Sequence, residues 1–422
     1  MSELDQSSPL SSFFVFSSEL PEEGETVKVF YYYPECKTQE DINNRDLETG
    51  ISSTFVFFAN RFNPDNPCDY IFTGKREIGL LEIGNGIFFN VSIKSTTGTK
   101  RILLNQILKT CLLMLNYVAG PLTLENDNKS VSKEWISRLQ TTMPHIIKII
   151  NWKDPVFELL WDSFVPSQTH LNSKQSVQDE QIRETMKKYP FIESVIFTWR
   201  DKIITMHGIE PQIARILSML VFHKFEMFFP FKTKKREDVL RWTIGFIMGP
   251  DKSIEIFTPP IFYNDKIHPL AVLQLNKIRI IVLLDPFKIF DINLLQQFSK
   301  DINPVARSFD SIESRSNSII KQNIFNNNTG IRMNYSPNSH ELNITNNNIQ
   351  IYDCETIERG ILLSHAFSKR IGPESRGIIP LNGSFYSFFD SYPYKFELIE
   401  VMQFKPKSLS EALEEFSKLE DI

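Results

Sequence analysis

Four cations in five residues, Lys232, Lys234, Lys235 and Arg236, follow the aromatic run Phe228-Phe229-Pro230-Phe231. Basic and aromatic side chains side by side can dock on an anionic membrane, each cation contributing about 1 kcal/mol near the surface. Glu237 and Asp238 come next and blunt the field, so a solvated loop before a strand is the competing reading. Other chemistry finds little support. Gly74-Lys75 lacks the upstream glycine of a phosphate-binding loop, and Arg76 stands where Ser or Thr is required. Gly84-Asn85-Gly86 lies between two strand-like runs, not ahead of a helix, so it reads as a hairpin turn. GxSxG, HExxH and an Asp-rich calcium loop are all missing. His145 and His223 fall on expected helices, where a lone histidine is ordinarily structural. Cys36, Cys68, Cys111 and Cys354 form no CxxC pair, which argues against a zinc site and against a disulfide framework. No cofactor, no metal and no covalent catalysis are expected.

The elements that would carry any site repeat three times. Phe13–Phe16 and Val27–Tyr33 read as strands, and a helix follows from about Thr38 to Phe62, closed by Asn63-Pro64. Tyr70–Thr73, Gly79–Ile83 and Gly86–Ile93 read as three more strands, ahead of helices at Lys100–Tyr117 and Val131–Ile150. The same β-β-α-β-β-β-α order returns from Ile192 to a helix near Asn293–Ser299. It returns again from Gly330 to a helix opened by the capping box Ser408-Leu409-Ser410-Glu411. Asn323–Asn348 is rich in asparagine and cannot build a core. The expected layout is an α+β chain of three tandem domains: residues 9–165, residues 186–310, a polar linker at 311–328, and residues 329–422. Each is expected to hold a five-stranded antiparallel sheet sandwiched by helices.

The 422 residues are 41% hydrophobic and 23% charged, with a net charge of -5 and 35 phenylalanines. That composition is globular, and the phenylalanine load implies large apolar layers. A mildly acidic chain is a poor match for a polyanion, so no nucleic acid partner is expected. The acidic, polar start MSELDQSSPL does not resemble a secretory signal, and no apolar run reaches the 18 residues of a membrane span. The expectation is a cytoplasmic protein that reaches membranes peripherally.

The run LSSFFVFSSELPEEGETVKVFYYYP, followed later by ISSTFVFFANRFNP, resembles the opening of the Ccz (calcium-caffeine-zinc sensitivity) family. The residues that carry the likeness are Ser12–Phe16, Gly24, Phe30–Pro34 and Phe58–Pro64. Beyond them it rests on element order. The resemblance implies three longin domains and pairing with a Mon (monensin-sensitivity) subunit, also built of longin domains. The pair would act as an exchange factor for a late-endosomal or vacuolar Rab GTPase of the Rab-seven class, on an anionic, phosphoinositide-containing membrane. Sister families share the first domain, among them a subunit of the BLOC-three exchange factor and the planar-polarity protein inturned. A trafficking scaffold without exchange activity is the alternative.

Within the helix Thr38–Phe62, Leu47, Ile51, Phe55, Phe58 and Phe62 form one stripe, expected to face the sheet. Val56 and Phe57 fall off that stripe and are expected to meet the partner, with Asn60 and Arg61 near the GTPase.

Overall fold

The computed structural model describes residues 9–19, 25–63, 68–95, 101–125, 130–150, 152, 165–166, 175–199, 202–225, 227–228, 240–248, 254–320, 330–336, 341–347, 375–380, 385–392 and 396–403. The chain divides into two compact units, Met1–Leu160 with Ile261–Asn264, and Trp161–Pro260 with Asp265–Ile422.

In the first unit β1 (Leu10–Ser17) and β2 (Val29–Tyr33) precede α1 (Gln39–Phe62). Then come β3 (Tyr70–Phe72), β4 (Arg76–Gly84), β5 (Ile87–Lys94), α2 (Arg101–Ala119) and α3 (Lys133–Ile149). The strands form one antiparallel sheet in the order β2-β1-β5-β4-β3. β1 and β5, buried almost throughout, are its centre, which is why their sequences are apolar on both faces. One face carries Phe14, Phe16, Phe88, Leu80 and Ile71, packed with Val56 of α1. The opposite face carries Phe13 against Phe89, with ring centroids 5.6 Å apart. There α2 comes close enough that a Cβ on Gly79 would lie 2.9 Å from Cβ of Leu104. The turn Gly84-Asn85-Gly86 joins β4 to β5 with all three residues at positive φ, the geometry of a tight hairpin.

In the second unit β6 (Val165–Pro166) and α4 (Gln175–Lys188) lead to β7 (Ile192–Trp199), β8 (Lys202–His207) and α5 (Pro211–Phe222). There follow β9 (Arg241–Met248), β10 (Ile254–Phe257), β12 (Lys266–Leu275), β13 (Ile278–Leu284) and α6 (Ile292–Ile320), while β11 (Pro260–Tyr263), between β10 and β12 in the chain, falls but for Pro260 in the segment grouped with the first unit. The sheet order is β10-β9-β12-β13-β7-β8, with β11 beside β12, making seven strands. Ile182 of α4 and Leu295, Phe298, Ile302, Val305 and Phe309 of α6 share one core with β7, β12 and β13. A third sheet holds β14 (Gly330–Ser336), β15 (Glu341–Asn347), β16 (Ser375–Pro380), β17 (Phe385–Tyr392) and β18 (Phe396–Gln403). Its order is β16-β17-β18-β14-β15-β6.

Among the described residues there are therefore three sheets, of which only the first has the five strands expected of each. The second adds two short strands, and the third takes in β6, which pairs parallel to β15. Extra strands of this kind pair the backbone groups that an edge strand otherwise leaves open. α4 has no counterpart in the sequence reading. α6, expected near Asn293–Ser299 with an irregular continuation, runs on as helix to Ile320, into the stretch read as linker. The two helices of the third repeat, read in the sequence at about Cys354–Lys369 and after Ser408, lie outside the described residues.

Candidate functional site

Helix α1 begins with reciprocal capping. The Thr38 hydroxyl accepts from the Asp41 N–H at 3.1 Å, and the Asp41 carboxylate accepts from the Lys37 and Thr38 N–H groups, each at 2.9 Å. Those backbone donors, with the Thr38 side chain, hold the Asp41 carboxyl below its usual range. At the other end the Asn63 N–H donates to the Ala59 carbonyl, and Pro64 follows.

The inward face of α1 is made of Thr49, Ser52, Ser53 and Val56, all buried. Their i, i+3, i+4, i+7 spacing is that of a packing stripe. Small residues belong here because the sheet beneath already supplies the bulk. Phe14 lies 5.5 Å from Phe16 and 5.6 Å from Tyr32, and Phe16 lies 5.8 Å from Phe88. A second layer of rings would not fit between helix and sheet at native packing density. Glu48 ties the rim down: its carboxylate accepts from the Tyr32 hydroxyl at 2.9 Å and pairs with Arg76.

The large apolar residues of α1 consequently turn outward. Leu47 is 63% exposed, Ile51 42%, Phe55 48%, Phe58 50% and Phe62 81%. At 100° per residue this stripe and the inward one lie roughly 150° apart on the helix. Phe58 and Phe62 stack on each other with centroids 6.3 Å apart, and Phe57 meets Phe58 edge-on. Asp46, Leu47, Gly50, Ile51, Thr54 and Phe55 line a shallow groove along the same face. An apolar stripe this continuous exceeds the scattered exposure normal for a surface and marks an interaction site.

The expected orientation of α1 is thus reversed. Val56, assigned to the partner surface, is a fully buried core residue of its own domain. Phe57 is half-buried, and Asn60 and Arg61 are exposed in the last turn. Leu47, Ile51, Phe55, Phe58 and Phe62, assigned to the core, form the free face instead. Lys232, Lys234, Lys235 and Arg236 lie outside the described residues.

Among the described residues no group of three or more His, Cys, Asp or Glu side chains could hold a metal ion. Nor, among them, is any helix long and apolar enough to cross a membrane. Cys111 is fully buried on α2, and burial pushes its thiol up to about 12, so it packs as a small hydrophobe.

Residues 10–120 match the family model described as the first longin domain of INTU, CCZ1 and HPS4. The chain is also similar to a vacuolar fusion protein CCZ1 homolog from Dictyostelium discoideum, with 32% identity over 205 residues. That stretch covers 48% of this chain and 38% of the relative, so well under half of the relative's length is matched.

Proposed function

We propose that the chain is a member of the Ccz family, the reading favoured by its matched first longin domain and its Dictyostelium relative, and a subunit of a heterodimeric Rab exchange factor without covalent catalysis of its own. Its partner is a second longin-domain subunit of the Mon type. Together they act on a late-endosomal or vacuolar Rab of the Rab-seven class, displacing its switch region and magnesium so that GDP leaves. The pair works from the cytoplasmic side of late endosomes, lysosomes or vacuoles, in endosome maturation and vacuolar fusion. The reading draws its main support from the outward stripe of α1, which leaves a longin domain with a continuous apolar face to cover. The name of the Dictyostelium relative points to the same compartment. The basic run Lys232–Arg236 is assigned to the anionic membrane on its composition.

Co-expression with the Mon-type subunit, followed by fluorescent-GDP release from the Rab, tests the reading. The wild-type pair co-purifies and accelerates release. Phe58→Asp leaves the single chain folded, abolishes co-purification and returns release to the intrinsic rate. A wild-type pair that forms but does not accelerate release leaves a trafficking scaffold and removes the exchange activity. Neutralising Lys232, Lys234, Lys235 and Arg236 weakens anionic-vesicle binding and spares exchange in solution.

A further inference from the structure

Gly50 stands in the middle of α1, where alanine would favour the helix by about 1 kcal/mol. A glycine inside a helix is often held there by a neighbour too close to admit a side chain, or by a left-handed backbone. Neither applies: a Cβ on Gly50 would meet nothing within 4 Å, and Gly50 is not among the positive-φ residues. The domain's own fold gives the missing side chain no use.

Leu47, Gly50, Ile51 and Thr54 stand at i, i+3, i+4 and i+7 along the groove, with Asp46 and Phe55 beside them. Four residues at this spacing are the corners of a hole in knobs-into-holes packing, and the glycine makes the hole deep. We propose that this hole receives one large apolar side chain from an α-helix of the partner subunit, laid along α1. The proposal rests on the pairing argued above and specifies its element and chemistry.

A helix fits better than lipid or a strand. The corners follow helical ridges that match those of a second helix, and the residues lining the groove include no lysine or arginine to hold an anionic membrane. Beside the hole Asp46 is paired with Arg45 at 2.8 Å and Glu48 with Arg76, so the charges there are met within the domain and the contact rests on the apolar stripe. With roughly 200 Å² for a phenylalanine side chain, the exposed parts of the stripe amount to about 500 Å². That is more than half of the ~800 Å² one partner gives to a stable interface. The stripe is large enough to be the centre of such a contact.

The test is Gly50→Leu in the full chain, with Gly50→Ala and Phe58→Asp beside it. The probe is the purified full-length Mon-type subunit, with binding measured by interferometry and melting temperature by fluorimetry. Gly50→Leu is expected to melt no lower than wild type, because the site is open in the single chain, and to bind at least tenfold more weakly. Gly50→Ala should melt higher and bind with an intermediate loss. If both Gly50 variants bind like wild type while Phe58→Asp does not bind, the hole is overturned and the pairing face stands. If all three bind like wild type, the face itself is wrong. A wild-type chain that dimerises alone, and that Gly50→Leu converts to monomer, would make the occupant a second copy and overturn the assignment to a partner subunit.

Discussion

The side-chain amide of Asn90 on β5 donates to the hydroxyl of Ser52 on α1 across 3.0 Å, and both residues are buried. One bond of this kind fixes which way a helix turns. With Ser52 against the sheet, Thr49, Ser53 and Val56 follow it inward, and the aromatic stripe has nowhere to go but out.

Removing the Ser52 hydroxyl alone leaves the Asn90 amide buried without this acceptor. Ser52→Ala is expected to cost about 1–3 kcal/mol, whereas Ser52→Ala with Asn90→Leu replaces both partners by apolar groups and recovers most of the loss. Urea unfolding of the two singles and the double gives the cycle. Strictly additive losses would show that the bond does not orient the helix.

Val56→Asp and Phe58→Asp place the same charge two residues apart, on opposite sides of α1. The first buries an unpaired carboxylate and is expected to destabilise the domain by about 3–5 kcal/mol. The second sits at the surface and should change stability by no more than about 0.5 kcal/mol. Equal melting temperatures for the two variants would contradict the inward face described above.

Gly79 and Gly50 should respond to alanine in opposite directions. At Gly79 the added Cβ would lie 2.9 Å from Leu104, 3.2 Å from Val91 and 3.3 Å from Leu108. Overpacking of β4 against α2 is expected to cost about 1–3 kcal/mol. A Gly79→Ala protein that melts at or above the wild-type temperature would mean α2 is not seated this close.

Acid should weaken the seat of α4. Its Asp179 accepts from the Thr205 hydroxyl at 2.8 Å and lies 3.4 Å from His207 Nε2. Burial raises the Asp179 carboxyl, but the bonds from His207 and Thr205 and the charges of His207 and Arg183 outweigh it and hold the group below its ordinary 3.8. A pKa lowered by folding adds stability that is present above the unfolded value and is lost as pH falls through the folded one. Asp179→Asn should therefore lower the melting temperature near neutral pH, and the gap from wild type should close as pH drops below about 4. A gap that persists in acid would show the loss comes from packing alone.

Much of this fold was legible in the chain. The apolar runs of β1 and β2 announced a sheet covered on both faces, and the Gly84-Asn85-Gly86 turn declared its hairpin. The face of α1 was not legible, because a wheel shows two stripes without showing which meets the sheet. Bulk was the wrong guide. The aromatic content of β1 and β5 was the available signal: strands that bring Phe14, Phe16 and Phe88 to one face leave room only for Thr49, Ser52, Ser53 and Val56. Gly50 drew no reading from the sequence, because the open space around it is visible only in the fold. α4 escaped notice since Gln175–Lys188 is mostly polar, with Ile182 its fully buried apolar anchor.

The order β2-β1-β5-β4-β3 also bears on how the first domain comes together. β1 with β2, and β3 through β5, are local hairpins that close quickly, while the pairing of β1 with β5 joins opposite ends of the domain and must wait for a long loop to close. The connection between those two halves is α1. Its inward residues are tied to the sheet, Ser52 by Asn90 of β5 and Val56 by the cluster holding Phe14, Phe16 and Phe88, so changes there are expected to act on the folding rate. Its outward stripe lies on the opposite side of the helix. Drift in Leu47, Phe58 or Phe62 is therefore expected to retune the grip of the proposed partner without slowing the assembly of the domain that presents it.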